Sequence, residues 1–80
     1  MKIKVLGTGC PKCRALEANA RRAVEELGVD AEVSKVTDIS DIMEYDVMIT
    51  PALVIDERVM ASGRVADVQE IKGWIREAGK

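Results

Sequence analysis

The chain has 80 residues, which predicts a single domain spanning 1–80 with no room for a second. Lys and Arg number 12 against 14 Asp and Glu, and Tyr45 and Trp74 are the only aromatic rings; a nucleic-acid binder would be expected to show a basic excess and stacking side chains. Histidine is absent, which excludes Ser-His-Asp and Cys-His catalysis and His-ligated zinc, and the 2 cysteines are too few for a four-cysteine zinc site in one chain.

The chain opens Met1-Lys2-Ile3-Lys4-Val5, with neither an apolar leader core nor a small-residue cleavage site. Ile3 to Gly7 is apolar and β-branched and ends in Gly-Thr-Gly, a short strand running into a tight loop. From Pro11 the period changes. Leu16, Ala20, Ala23 and Leu27 recur at helical spacing, Pro11 suits a first helical position, and Gly28 suits a left-handed cap. Val29, Ala31 and Val33 alternate with polar residues, predicting a half-buried strand that continues towards Val36. Thr37 or Asp38 is placed to cap a short helix with Ile39, Ile42 and Met43 on its apolar side. Met43, Met48 and Met60 are read as core filler.

A strand follows from Ala52 to Ile55, the longest apolar run and far too short to span a membrane. Asp56-Glu57-Arg58 reads as a hairpin turn, although it lacks the Gly or Asn that two-residue turns favour, and Val59 to Ala61 forms the returning strand. Val68, Ile71, Ile75 and Ala78 then stripe a last helix, with Trp74 at the edge of the core. The expected fold class is α/β, in the order β-α-β-α-β-β-α. The first crossover should be parallel and right-handed and the closing hairpin antiparallel, giving a mixed four-stranded sheet flanked by helices.

The chemistry gathers at Cys10-Pro11-Lys12-Cys13. Two cysteines at i and i+3 around a helix start can approach disulfide distance. A thiolate at Cys10, the expected N-cap, meets unpaired backbone N–H groups and the positive end of the helix dipole, with Lys12 adding charge of the same sign. Cys13 lies one turn inward and is more shielded, so Cys10 is expected to attack and Cys13 to resolve the mixed disulfide. In a cytoplasmic setting, the location expected in the absence of a leader, such a pair suits redox chemistry. The alternative is a binding module that carries Cu(I) or Zn on the same two thiolates. Thr50-Pro51, immediately before an apolar strand, is either a plain strand opening or part of the site.

Cys10-Pro11-Lys12-Cys13, Ile49-Thr50-Pro51-Ala52-Leu53-Val54-Ile55 and Gly63 before a final helix together resemble the thioredoxin/glutaredoxin superfamily, nearest its small redox-active disulfide proteins. The resemblance covers the whole chain. It implies a thioredoxin-like fold with the first strand central, the hairpin at one edge, and a cis Thr50–Pro51 bond beside the cysteines. It also implies pairing of an extended substrate with the backbone before Pro51. The implied activity is reduction of protein disulfides through Cys10 and Cys13, with Pro11, Lys12, Thr50 and Pro51 in support.

The implied partners are disulfide-containing proteins and a thioredoxin-reductase-type electron donor, with the chain acting as a monomer and touching neither nucleic acid nor membrane. No cofactor and no metal are expected, since no flavin or nicotinamide motif is present. Two departures stand out. Ser62-Gly63-Arg64-Val65-Ala66-Asp67 matches only part of the glutathione-binding stretch of glutaredoxins. Lys4 occupies the place where thioredoxins bury an acid, so either that side chain turns to solvent or another acid substitutes.

Overall fold

The computed structural model describes residues 1–9, 11–47 and 49–78. Seven elements follow one another as β1 (Lys2–Leu6), α1 (Pro11–Leu27), β2 (Glu32–Val36), α2 (Ile39–Met43), β3 (Ala52–Ile55), β4 (Arg58–Ser62) and α3 (Val68–Ala78). The sheet order is β2-β1-β3-β4. β1 pairs in parallel with β2 and antiparallel with β3, and β3 and β4 form the antiparallel hairpin. The α/β architecture, the central first strand and the edge hairpin are therefore as the sequence predicts.

The period-2 alternation of β1 assigns the two faces. Ile3 and Val5 join Leu53 and Ile55 beneath Leu16, Ala20 and Ala23 of α1 and Ile71 and Ile75 of α3, all fully or almost fully buried. Alanines on the inward side of α1 let α3 lie close against it. On the other face Leu6, Ala52 and Val54 pack with Ile42 and Val47 in a smaller cluster. β3 is thus covered on both sides, which explains its unbroken apolar run. Gly28 ends α1 at φ +65°, its N–H donating to the Val24 and Glu25 carbonyls.

Three local expectations change. β2 starts at Glu32 rather than near Val29, because its ladder with β1 begins at Lys2↔Glu32 and residues 29–31 have no strand beside them. In α2 only Ile42 is buried, while Ile39 and Met43 are 64 % and 66 % exposed. A five-residue helix turns only one side chain inward, so Met43 is surface rather than core; Met60 does pack against the core, and Met48 lies outside the described residues. The hairpin loop is Asp56-Glu57 alone, with both residues at positive φ (48° and 70°), and a register shift at Leu53/Val54 sets Met60 outside the regular pairing.

Asp and Glu adopt that left-handed conformation at a cost, and β1 offsets it. Asp56 donates its N–H to the Lys2 carbonyl at 2.9 Å and accepts the Lys2 N–H on Oδ1 at 2.9 Å. Glu57 accepts from the Lys4 ammonium at 3.0 Å.

Candidate active site

The site forms where β1 ends and α1 begins. Leu6 and Gly7 are buried, Thr8 and Gly9 are exposed, and α1 starts at Pro11. Cys10 lies outside the described residues. Cys13 is in the first turn of α1 and 5 % exposed, as the sequence predicts for the inner thiol. Pro11 and Lys12 are exposed on the same turn, which holds no acidic residue. The dipole of α1 and the charges of Lys12 and Arg14 therefore act together at its N-terminus, in the direction that favours an anion.

Thr50 and Pro51 reach this place from the loop just before β3. The Thr50–Pro51 peptide bond is cis, and Pro51 is buried while Thr50 is exposed. The main chain of Thr50 lies outside the sheet ladder, which begins at Ala52. Gly63, at φ +75°, donates its N–H to the Pro51 carbonyl at 2.9 Å and lies against Ile49.

Gly7 is the joint between these parts, and sequence reasoning treated it only as the end of a strand. A Cβ on Gly7 would overlap the Cys13 Sγ and lie 3.9 Å from the Cβ of Thr50. A bare backbone is needed there because thiol and cis-proline loop close on it from two sides. Residues 1–76 match the family described as thioredoxin domain.

The chain belongs to the thioredoxin family. It is 47 % identical over 70 residues to a thioredoxin of Methanocaldococcus jannaschii, covering 88 % of this chain and 80 % of that one. It is also 47 % identical over 72 residues to a thioredoxin of Methanothermobacter thermautotrophicus, covering 90 % and 94 %. The thioredoxin family is one of thiol-disulfide oxidoreductases, and membership implies disulfide-reductase activity. Among the described residues, no helix is long and apolar enough to cross a membrane.

Lys4 is turned away from the thiol. It lies on the sheet face opposite Ile3 and Val5, and its ammonium donates to Tyr45 Oη at 2.8 Å and Glu57 Oε1 at 3.0 Å. Tyr45 Oη in turn donates to Glu57 Oε2 at 3.2 Å. The Tyr45 and Glu57 hydrogen bonds hold the Lys4 ammonium above its usual range, and the Lys4 hydrogen bond holds the Glu57 carboxyl below its own.

On the thiol's side, a cavity of about 130 Å³ opens beside Cys13, walled by Val5, Gly7, Arg14, Glu17 and Lys35 among others. Glu17 and Lys35 are the site residues that periodicity could not reveal. The crossover brings β2 alongside α1 and sets Lys35 near Glu17. A second, more apolar cavity of about 390 Å³ lies across Thr50 and Thr8, bounded by Ile39, Ile42, Met43 and Val47.

Proposed function

We propose that the protein reduces protein disulfides as a dithiol electron carrier, with Cys10 as nucleophile and Cys13 as resolving thiol. The observation that carries this reading is the burial of Cys13 in the first turn of α1, against the bare backbone of Gly7 and beside the Thr50–Pro51 loop. A thiol so placed is kept from solvent, and its natural reaction partner is a sulfur held at the helix start.

In the proposed cycle the Cys10 thiolate attacks one sulfur of a target disulfide, forms a mixed disulfide and releases the first target thiolate. The Cys13 thiolate then attacks the Cys10 sulfur, the bond to the target breaks, and the second target thiolate leaves and takes up a proton. Two electrons pass to the target, and the Cys10–Cys13 disulfide remains. An external thioredoxin-reductase-type dithiol donor returns it to the reduced state.

Several features support this assignment of roles. Pro11 starts the helix without wasting a hydrogen-bond donor, and Lys12 adds cationic charge at its exposed first turn. The exposed main chain at Thr50, next to buried Pro51, offers an extended substrate a place to pair. Ile39, Met43 and Ile49 are all more than 60 % exposed and supply an apolar rim on which a target protein can rest. We place this chemistry in the cytoplasm, where thiols are kept reduced, with the chain acting as one domain and one monomer.

The test is reduction of insulin disulfides with dithiothreitol as electron source. Cys10→Ser is expected to abolish turnover, and Cys13→Ser to accumulate mixed disulfides with targets that wild type releases. Full activity in Cys10→Ser, or a wild-type protein that binds Cu(I) or Zn stoichiometrically and forms no internal disulfide, would overturn the reading.

A further inference from the structure

The surface on either side of the Cys13 thiol differs in character. On one side lies the cavity of about 130 Å³ that Arg14 and Lys35 help to wall; on the other lies the apolar cavity of about 390 Å³ between Thr8, Thr50 and α2. Gly7 divides them, since a Cβ there would meet the Cys13 Sγ on one hand and the Thr50 Cβ on the other. Cations dominate the first side. Lys12 and Arg14 are exposed, and among the described residues neither has a carboxylate within ion-pair distance. Farther along the same helix the arginines are occupied, Arg21 by Glu17 at 2.9 Å and Arg22 by Glu26 at 2.6 Å. Lys35 reaches in from β2, its side chain 59 % exposed and its ammonium 3.9 Å from Glu17, too far for a hydrogen bond. Glu17 is the one acid among the described residues of this wall, and Arg21 already balances it with two hydrogen bonds. The acids Asp38 and Asp41 belong to α2, the element of the apolar side, where Asp38 accepts the Ser40 N–H as helix cap. The chain as a whole has a net charge of -2, so this cationic ground is a local arrangement.

We propose that the protein selects target disulfides by a two-sided signature: carboxylate side chains on one side of the reacting cysteine, met by Arg14 and Lys35, and a bulky apolar side chain on the other, met by Ile39 and Met43. This rests on the disulfide-exchange reading above. A target segment that pairs with the exposed main chain at Thr50 crosses the site between the two cavities, so the residues before and after its cysteine meet opposite kinds of surface. Carboxylates facing the cations hasten encounter at little desolvation cost, because Arg14 and Lys35 stay in contact with water. The apolar side chain leaves water for a cavity bordered by Ile39 and Met43, which are themselves more than 60 % exposed and lose water in turn. Together the two halves fix the direction of the target. Reversing its sequence would set carboxylates against apolar residues and the apolar side chain among cations, and both contacts are unfavourable.

The experiment gives reduced protein short peptides whose single cysteine carries a 2-thiopyridyl group, and follows release of pyridine-2-thione. The Cys10 thiolate bonds to the peptide sulfur, the bond to the pyridyl sulfur breaks, and pyridine-2-thione leaves with the electron pair and takes up a proton. One peptide has glutamates before the cysteine and leucine after it, a second has the reverse order, and two more replace glutamate by lysine. The better glutamate peptide is expected to react about 10-fold faster than its lysine counterpart at low ionic strength, and about threefold faster than the reverse order. Salt at about 0.5 M should cut the first ratio to about twofold. Arg14→Gln combined with Lys35→Gln should bring it to within about twofold at low salt; any loss of thiolate in that variant slows every peptide alike and cancels in the ratio. Ile39→Ser combined with Met43→Ser should narrow the preference between the two orders and keep the charge ratio. All four positions are exposed, so these variants are expected to fold. Equal rates for glutamate and lysine peptides, a charge ratio that survives in the Arg14 and Lys35 variant, or equal rates for the two orders would each overturn the proposal. If Cys10→Ser releases pyridine-2-thione at the wild-type rate from every peptide, the disulfide-exchange reading itself has failed.

Discussion

The two faces of the sheet are built to different standards. Beneath α1 and α3, Leu16, Ala20, Ala23, Ile71 and Ile75 close over Ile3, Val5, Leu53 and Ile55, and every one of them is at most 2 % exposed. On the opposite face a helix of five residues covers Leu6, Ala52 and Val54 with one buried side chain of its own, Ile42, and the rest is completed by Val47 and Tyr45. The thick face carries stability and positions Cys13. The thin face is open beside Thr8 and Thr50, and its uncovered apolar residues border the cavity next to the proline loop. A protein of this size has little core to divide, and the larger share of it lies beneath α1 and α3.

Substitution can break or sharpen this contrast. Leu16→Ala removes a fully buried side chain from the thick face and is expected to cost about 3–5 kcal/mol in urea unfolding. Ile42→Ala should fall near 2 kcal/mol, because α2 borders an open cavity into which neighbours can relax. Equal losses at the two sites would show that the thin face is as tightly built as the other. A comparable effect is expected at the joint between them. Gly7→Ala forces a methyl into the Cys13 Sγ and should cost about 1–3 kcal/mol, while also slowing closure of the internal disulfide.

The smallest effect belongs to the ion pair on the thin face. Glu57 is held below its ordinary 4.5 in the folded state, so its contribution is present above that value and is lost as pH falls through the folded one. Lys4 is raised from 10.5, so its contribution is present below 10.5 and lost as pH rises through the folded value. Glu57→Gln should therefore lower Tm by only about 1–3 °C, evenly between about pH 5 and 10, with the difference from wild type fading in acid. A difference that grew in acid would contradict the pairing.

The contrast also decided what could be foreseen. Elements of the thick face announce themselves by period: the α1 stripe from Leu16 to Leu27, the α3 stripe and the run Ala52–Ile55 each mark a surface that must be buried. Cys13, Pro11, Thr50 and Pro51 stand out because rare residue types recur at a meaningful spacing. The thin face offers no such signal. Ile39 and Met43 look like core in a pattern, yet a single helical turn buries only Ile42, and hydropathy does not reveal how long a helix will be. Glu17 and Lys35 stayed hidden for another reason. Their meeting depends on the parallel register of β1 and β2, which sets Lys35 beside Val5 and so next to α1.

The Asp56-Glu57 corner carries one more lesson. Neither residue prefers the backbone shape it holds, and what steadies it comes from Lys2 and Lys4, more than fifty positions earlier. A peptide cut from this region would have little reason to bend there by itself. The outer ribbon borrows its curvature from the first segment of the chain, so its corner is complete only with β1 in place beside it.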